Sequence, residues 1–522
     1  MSGLRDQHVL ILGLGVSGLA MARWCAAQGA RVTVADTREA PPGLQALSEQ
    51  APQARFIAGP LDARLLDDAS LRAVCRSPGL APADVASLVQ AARERGLPVW
   101  GELDLFTQAL ADLRAERGYA PKLIAITGTN GKTTVTALTG QLLARAGLLA
   151  ATAGNIGPSL LDTLSERLRG DALPQVWVLE LSSFQLEGNT SFEPTVATVL
   201  NVTQDHLDWH GDMAAYAAAK ARVFGALGAM VLNRDDPRVS AMRPQAPAKG
   251  KGPKPAPRRI ITFGAGMPTE PGDFGIEMVN GMAWLVRALE ADETQRRRKG
   301  ADTGSEIELH LQRLMPADAL RIRGRHNAVN ALAALALAVS VGCPLGPMLY
   351  GLREYRGEPH RLESIGVLDG VEYFDDSKGT NVGATVAALQ GLGAERQLVV
   401  ILGGEGKGQD FAPLREPLTR HARAALLIGR DAGLIRAALD GAGVPLIDAD
   451  SLEQAVDLAR ERARAGDAVL LSPACASLDM FRDYAHRAEV FRAAVGALAH
   501  DEGLNLETAV DRFLPSGIPR GL

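Results

Sequence analysis

Lysine is the residue this sequence does without. Nine lysines stand against 46 arginines in 522 residues, so a generic positive charge is nearly always written as arginine. Four of the nine (Lys249, Lys251, Lys254 and Lys299) fall in two low-complexity stretches. Arginine substitutes poorly where a compact point charge or a nucleophilic amine is needed. Lys132, Lys220, Lys378 and Lys407 are therefore candidates for chemistry. Cysteine is scarce too. Cys25, Cys75, Cys343 and Cys475 lie far apart without metal-ligand spacing, and read as free thiols in a reducing cytosol. No apolar run reaches the ~18 residues of a membrane span; Ala328–Val341 is a buried helix instead. Asp6, Gly13, Gly15 and Gly18 break up what would otherwise resemble a signal peptide. A net charge of −5 leaves no basic footprint for nucleic acid. The length allows about three domains, and 47% hydrophobic content supports sizeable cores.

What is present is a phosphate cradle. Leu123 to Thr134 reads L-I-A-I-T-G-T-N-G-K-T-T, an apolar strand that stops in a glycine loop and restarts as a helix. Glycines let backbone N–H groups approach phosphate oxygens, and the helix N-terminus adds partial positive charge. Lys132 supplies a full charge, and the Thr133 hydroxyl suits magnesium. Ile126 stands where the commonest phosphate-loop pattern has its first glycine, so this is a variant loop.

The α/β texture repeats three times. His8–Leu12, the turn Gly13–Gly18 and Arg31–Asp36 make a Rossmann-like start, followed by short α/β elements up to about Phe106. That glycine turn alone fits a tight βα turn, NAD or FAD, or a nucleotide diphosphate. A second unit begins near Leu123, with buried-strand runs at 176–184, 196–203 and 229–233. Met242–Arg259 and Glu290–Ser305 are rich in breakers and charge, and are expected to be flexible insert rather than core. A third unit starts near Glu358. The expected domains are 1–106, 107–357 (with a low-complexity insert at about 238–321) and 358–522.

Loops at strand carboxyl ends collect the remaining candidates. Glu180 ends a buried run, where a magnesium ligand belongs. His206 follows another strand and is a plausible second ligand. Lys220, 14 residues on, would repel metal as an ammonium but bind it as a carbamate. Asn327 and Asn330 share a helix face, suited to an adenine edge or to capping. Loops at 375–381, 403–411 and 471–481 would gather at one sheet edge.

Together these motifs resemble the Mur ligase family of ATP-dependent amide-forming enzymes. The residues that carry the likeness are G-T-N-G-K-T-T from Gly128, G-N-I-G from Gly154, L-E-L-S-S-F-Q-L-E from Leu179, N-V-T-Q-D-H-L-D from Asn201 and H-N-A-V-N-A-L-A-A from His326. The C-terminal part adds Pro359-His360-Arg361, D-S-K-G-T-N from Asp376, L-G-G-E-G-K from Leu402 and S-P-A-C-A-S-L-D-M-F from Ser472. Asp36-Thr37-Arg38 and Ser77-Pro78-Gly79 favour the D-glutamate-adding branch. The resemblance implies three consecutive α/β domains: a Rossmann-like N-terminal domain, a central P-loop ATPase-like domain and a Rossmann-like C-terminal domain. It implies a cytoplasmic enzyme of peptidoglycan precursor synthesis, expected as a monomer. Its substrates would be ATP, UDP-N-acetylmuramoyl-L-alanine and D-glutamate, with no nucleic-acid or membrane partner.

The roles follow residue by residue. Gly15, Val16, Ser17, Asp36, Thr37 and Arg38 would hold the uridine diphosphate, and Asn155 the muramoyl-alanine end. Gly128, Thr129, Asn130, Gly131, Lys132, Thr133 and Thr134 would bind the ATP phosphates. Thr133, Glu180, His206 and Lys220, carbamylated by carbon dioxide, would hold two magnesium ions. Lys132, Glu180, His206 and Lys220 would be the catalytic set. Asn327, Asn330, His360, Arg361 and Asp376 would frame adenosine. Lys378, Thr380, Lys407, Ser477, Leu478 and Tyr484 would form the D-glutamate pocket. Glu405 and Tyr484 stand where the family suggests Asp and Phe, and the 238–321 stretch is longer than the family needs. Three other readings stay open on the residues: a folylpolyglutamate synthetase, a nicotinamide oxidoreductase, and a nucleotide-binding protein without turnover.

Overall fold

The computed structural model describes residues 3–189, 191–244, 258–291, 308–394 and 396–503. Three sheets succeed one another along the chain. The first has five parallel strands in the order Arg55–Ala58, Arg31–Asp36, His8–Leu12, Leu71–Arg76 and Val99–Trp100. Every residue of His8–Leu12 is buried, as expected of a parallel strand covered on both faces. The turn after it is tight: a Cβ on Gly18 would lie 1.9 Å from the Gly13 carbonyl oxygen. Only glycine lets the following helix, Val16–Ala27, pack that close to the strand.

The second sheet has nine strands, in the order Leu309–Pro316, Met282–Glu290, Phe274–Val279, Ile260–Phe263, Ala229–Asn233, Val196–Val199, Lys122–Thr127, Val176–Glu180 and Ala150–Gly154. Lys122–Thr127 lies between Val196–Val199 and Val176–Glu180, parallel to both. The loops leaving these three strands therefore open at the same edge, where ligands bind in open α/β sheets. Helix Arg325–Ser340 covers one face of this sheet; its residues Ala331–Ala338 are all fully buried. The third sheet runs Glu363–Leu368, Val371–Asp375, Ala468–Leu471, Leu398–Gly403, Ala422–Ile428, Leu446–Asp448 and is parallel except for its first strand.

The expected insert needs correction. Inside 238–321, four strands continue the central sheet, and Phe263, Phe274, Leu285, Val286 and Met315 lie in the core. The low-complexity tracts flank a true β-hairpin (Phe274–Val279 against Met282–Glu290), the second tract connects it to the antiparallel strand Leu309–Pro316, and their breakers hid the apolar alternation. Residues 245–257 and 292–307, most of both tracts, lie outside the described residues. Arg258, at the end of the first, is anchored: its guanidinium donates to the carbonyls of Phe224, Gly225 and Gly228. Helix Glu102–Arg117 also runs through the boundary expected at 106/107, with Phe106 edge-on to Trp177 at 5.1 Å.

Because Phe274 is fully buried in this added part of the sheet, Phe274→Ala should cost about 3–5 kcal/mol in urea unfolding. A loss below about 1 kcal/mol would mark the strands as surface decoration.

Candidate active site

The phosphate loop sits at the edge where three strands end. Strand Lys122–Thr127 stops, Gly131 takes a left-handed conformation (φ +83°), and helix Lys132–Arg145 begins. A Cβ on Gly131 would lie 2.8 Å from Asn330 Oδ1, so the loop passes closely beneath the second asparagine of helix Arg325–Ser340. Asn201 holds the loop from the next strand. Its carbonyl accepts from the Thr129 N–H (2.9 Å), its Oδ1 accepts from the Asn130 N–H (2.8 Å), and its Nδ2 donates to the Asn130 carbonyl (3.1 Å). The carbonyl of Thr134 accepts from the Tyr355 hydroxyl at 3.4 Å.

Two lysines converge on this loop. Lys132 Nζ donates to the carbonyls of Gly128 and Thr129, both at 2.8 Å. Lys220 Nζ donates to the same Gly128 carbonyl at 2.9 Å and lies 4.5 Å above the Tyr216 ring. Lys220 is 2% exposed. Burial, followed by the charge of Lys132, pushes its pKa well below the usual lysine range. Burial also lowers Lys132, although the charge of Glu180 opposes the shift.

Glu180 ends its strand 3% exposed and accepts from Asn155 Nδ2 at 3.2 Å. A Cβ on Gly154 would clash with the Glu180 carbonyl at 2.1 Å, so glycine brings the Asn155 loop against that strand. His206 has a left-handed backbone (φ +53°) that a non-glycine residue adopts at a cost of about 1 kcal/mol. Its ring packs edge-on to Phe184 at 4.8 Å. Burial lowers its pKa; Asp205 pulls up, and Lys132, Lys220 and Lys407 push further down. Asp205 Oδ2 lies 3.6 Å from its Nε2.

The C-terminal unit closes directly onto this loop. Arg361 donates to the Thr133 hydroxyl at 3.1 Å. Asn381 and Asn130 exchange side-chain amide bonds at 3.1 and 3.2 Å, and Asn381 also donates to Asp205 at 3.3 Å. Between the units lies a cavity of about 100 Å³ whose lining includes Asn130, Gly131, Asn327, Asn330, Arg361 and Asp376. Asn330 Nδ2 donates to Asn327 Oδ1 at 3.2 Å, and Asn327 Nδ2 to the Arg323 carbonyl at 2.7 Å. Asp376 accepts from Ser472 Oγ (2.7 Å) and the Leu362 N–H (3.3 Å), and burial pushes its pKa up to about 7.

His360 bonds Asp375 at 2.8 Å and lies 6.0 Å from the Tyr484 ring, over which Lys378 Nζ sits at 5.3 Å. Burial, with Arg361 nearby, lowers Lys378 to about 8. Ser477 is buried, Thr380 half-buried, and Lys407 and Leu478 are exposed. An antiparallel bridge between Glu405 and Ala476 joins their loops, and Glu405 also pairs with Arg430 at 3.0 Å. His360, Glu363 and Asp375 are close enough to suggest a metal site, but Arg492 already bridges the two carboxylates.

Gly15, Val16 and Ser17 face Asn155 across a cleft of about 630 Å³, also lined by Ser77–Gly79 and Tyr484. Asp36, Thr37 and Arg38 are not in that lining. Asp36 is saturated by the Leu14 N–H (2.7 Å) and by the backbone and guanidinium of Arg38, which holds it down to about 2. The pair thus stiffens the glycine turn. Sequence reasoning passed over Asp205, Asn201 and Asn381. Asp205 stood beside His206 in a quoted motif, but nothing in sequence separates a neutral asparagine that joins two units from one that caps a helix.

Three α/β units with a phosphate loop at their junction define a nucleotide-dependent enzyme. Residues 7–101 match the Mur ligase MurD-like N-terminal domain, 126–338 the Mur ligase middle domain and 360–475 the Mur ligase glutamate ligase domain. A UDP-N-acetylmuramoylalanine–D-glutamate ligase of Albidiferax ferrireducens is 66% identical over 509 residues, covering 98% of this chain and 100% of the relative. A protein of the same name from Polaromonas is 57% identical over 97% of this chain and 100% of its own length. Among solved structures, the Thermotoga maritima MurF ligase in complex with ADP shares the fold at a TM-score of 0.56 and 14% identity, covering 96% of this chain and 100% of that one. The chain belongs to the Mur ligase family.

Asp376 yields a pH test. Its folded pKa of about 7 lies above the ordinary 3.8, so folding favours the protonated form. That stability is complete below about pH 4 and is lost as pH rises through about 7. Asp376→Asn should therefore gain thermal stability relative to the native chain between about pH 5 and pH 8. A constant difference across that range contradicts a buried carboxyl that holds its proton.

Proposed function

We propose that this chain joins D-glutamate to UDP-N-acetylmuramoyl-L-alanine at the expense of ATP, in cytoplasmic synthesis of a peptidoglycan precursor that serves cell shape and division. The observation that carries the reading is the junction itself. Asn381 and Arg361 of the C-terminal unit bond the phosphate loop, while the cleft at Asn155 opens toward the N-terminal glycine turn. Relatives of that name, matched over almost the whole chain, support the same substrates.

The residues fit magnesium and ATP. Oxygen donors suit magnesium, and Glu180 offers a buried carboxylate beside Lys132, with Asp205 and His206 one strand away. Two magnesium ions would be held by Thr133, Glu180, His206 and Lys220, and would neutralise charge on the transferring phosphoryl group. Lys132 would exchange its loop carbonyls for phosphate oxygens, and Arg361 would add charge from the far side. An oxygen of the alanine carboxylate attacks the γ-phosphorus and ADP leaves, giving an acyl phosphate. The amine of D-glutamate, held by Lys378 and Lys407, then attacks that carbonyl carbon; a proton is lost and phosphate departs.

Lys220 fits carbamylation. Burial and the neighbouring Lys132 charge make this amine give up its proton more readily than an ordinary lysine, and the lone pair so freed can attack carbon dioxide. The nitrogen gains a carboxylate and loses a proton, turning a repulsive ammonium into an oxygen ligand.

ADP release should require the UDP-sugar, D-glutamate and magnesium together; equal turnover with L-glutamate or without the UDP-sugar would overturn the assignment. Lys132→Ala should lose at least ~3–4 kcal/mol of transition-state stabilisation in kcat/KM. Lys220→Arg keeps the charge but cannot carry a carbamate, so it should be inactive; full activity would remove the metal-ligand role.

A further inference from the structure

Arg487 is among the largest fully buried side chains and is 0% exposed. It lies in the first turn of helix Tyr484–Asp501. Its guanidinium donates twice to the Cys475 carbonyl, both at 3.2 Å, and once to the Ser377 carbonyl at 2.8 Å. Its Nε has no partner, and no carboxylate lies within ion-pair distance among the described residues. Burial lowers its pKa only to about 10, so it stays charged at neutral pH. A buried cation without a paired anion is costly, and a core of this kind would be cheaper with an apolar residue.

The two carbonyls explain the placement. Ser377 directly precedes Lys378, and Cys475 lies two residues before Ser477. Ala474, beside Cys475, is held in a left-handed conformation (φ +58°) while fully buried. Ala476 is bridged to Glu405, two residues before Lys407. The guanidinium therefore ties the loops that carry Lys378 and Ser477 directly, and the Glu405–Ala476 bridge extends that hold to the Lys407 loop. Its charge, opposed by Asp479, Asp375 and Asp376, sits beneath them in a poorly screened medium.

We propose that Arg487 is a positioning residue for the amino-acid substrate: it fixes the backbones of the Lys378 and Ser477 loops from beneath, and its charge favours a dicarboxylate there. This rests on the D-glutamate reading of those loops. The test compares R487Q and R487K with the native enzyme, measuring KM for D-glutamate, ATP and the UDP-sugar, with thermal unfolding as a control. R487Q should raise the D-glutamate KM ~tenfold or more while the other two stay within ~twofold. R487K keeps the charge with fewer bonds and should give a smaller rise, still confined to D-glutamate; it decides the matter should R487Q not fold. An unmoved D-glutamate KM, an equal rise in all three, or loss of folding in both variants makes Arg487 purely structural and overturns the proposal. If the native enzyme shows no D-glutamate-dependent ADP release, the ligase reading falls and this assignment with it.

Discussion

Two lysine amines share one carbonyl oxygen, that of Gly128, and the chemistry of the site depends on that arrangement. Two ammonium groups this close repel each other, and the cost grows with burial. Lys220 is the more enclosed, so it is the one best kept neutral. Lys132 can then stay cationic at the helix N-terminus, where anionic phosphate is favoured. The same loop thus presents one amine for charge and, in the carbamylation proposed above, another for modification.

The surroundings add to this positive excess. Arg361 and Lys378 crowd in from the C-terminal unit, while Asp376 is drawn toward its protonated form by burial. Glu180 and Asp205 are the acids facing the lysines. A region with more positive than negative charge and little water is poised for polyanions: a triphosphate, a substrate carboxylate and a dicarboxylic amino acid. The C-terminal unit meets the loop through the neutral amides of Asn130 and Asn381 as well as through Arg361, so only part of the contact adds charge to the site.

Much of this was legible in the sequence, for a physical reason. Parallel strands covered on both faces must be continuous apolar runs, so Leu10–Leu12, Ile124–Ile126 and Val399–Leu402 announce themselves. The rarity of lysine singled out Lys132, Lys220, Lys378 and Lys407; the first three sit at the junction, and Lys407 is exposed. Three things were not legible. The strands between 260 and 316 are antiparallel or short and lie among breakers, so their burial depends on the helix Arg325–Ser340 packed over them. The resemblance gave Asp36 a ligand role, and Arg38 two residues on bonds both of its oxygens. Arg487 looked like any other arginine in an arginine-rich chain, because only the third sheet's packing buries it.

The central claim is that the alanine carboxylate attacks phosphorus at the Gly128–Thr133 loop before any amide forms. The direct measurement uses UDP-N-acetylmuramoyl-L-alanine with both carboxylate oxygens labelled with oxygen-18, turned over with ATP and D-glutamate. One labelled oxygen should appear in the released phosphate and the other should remain in the amide carbonyl. Unlabelled phosphate would contradict the account.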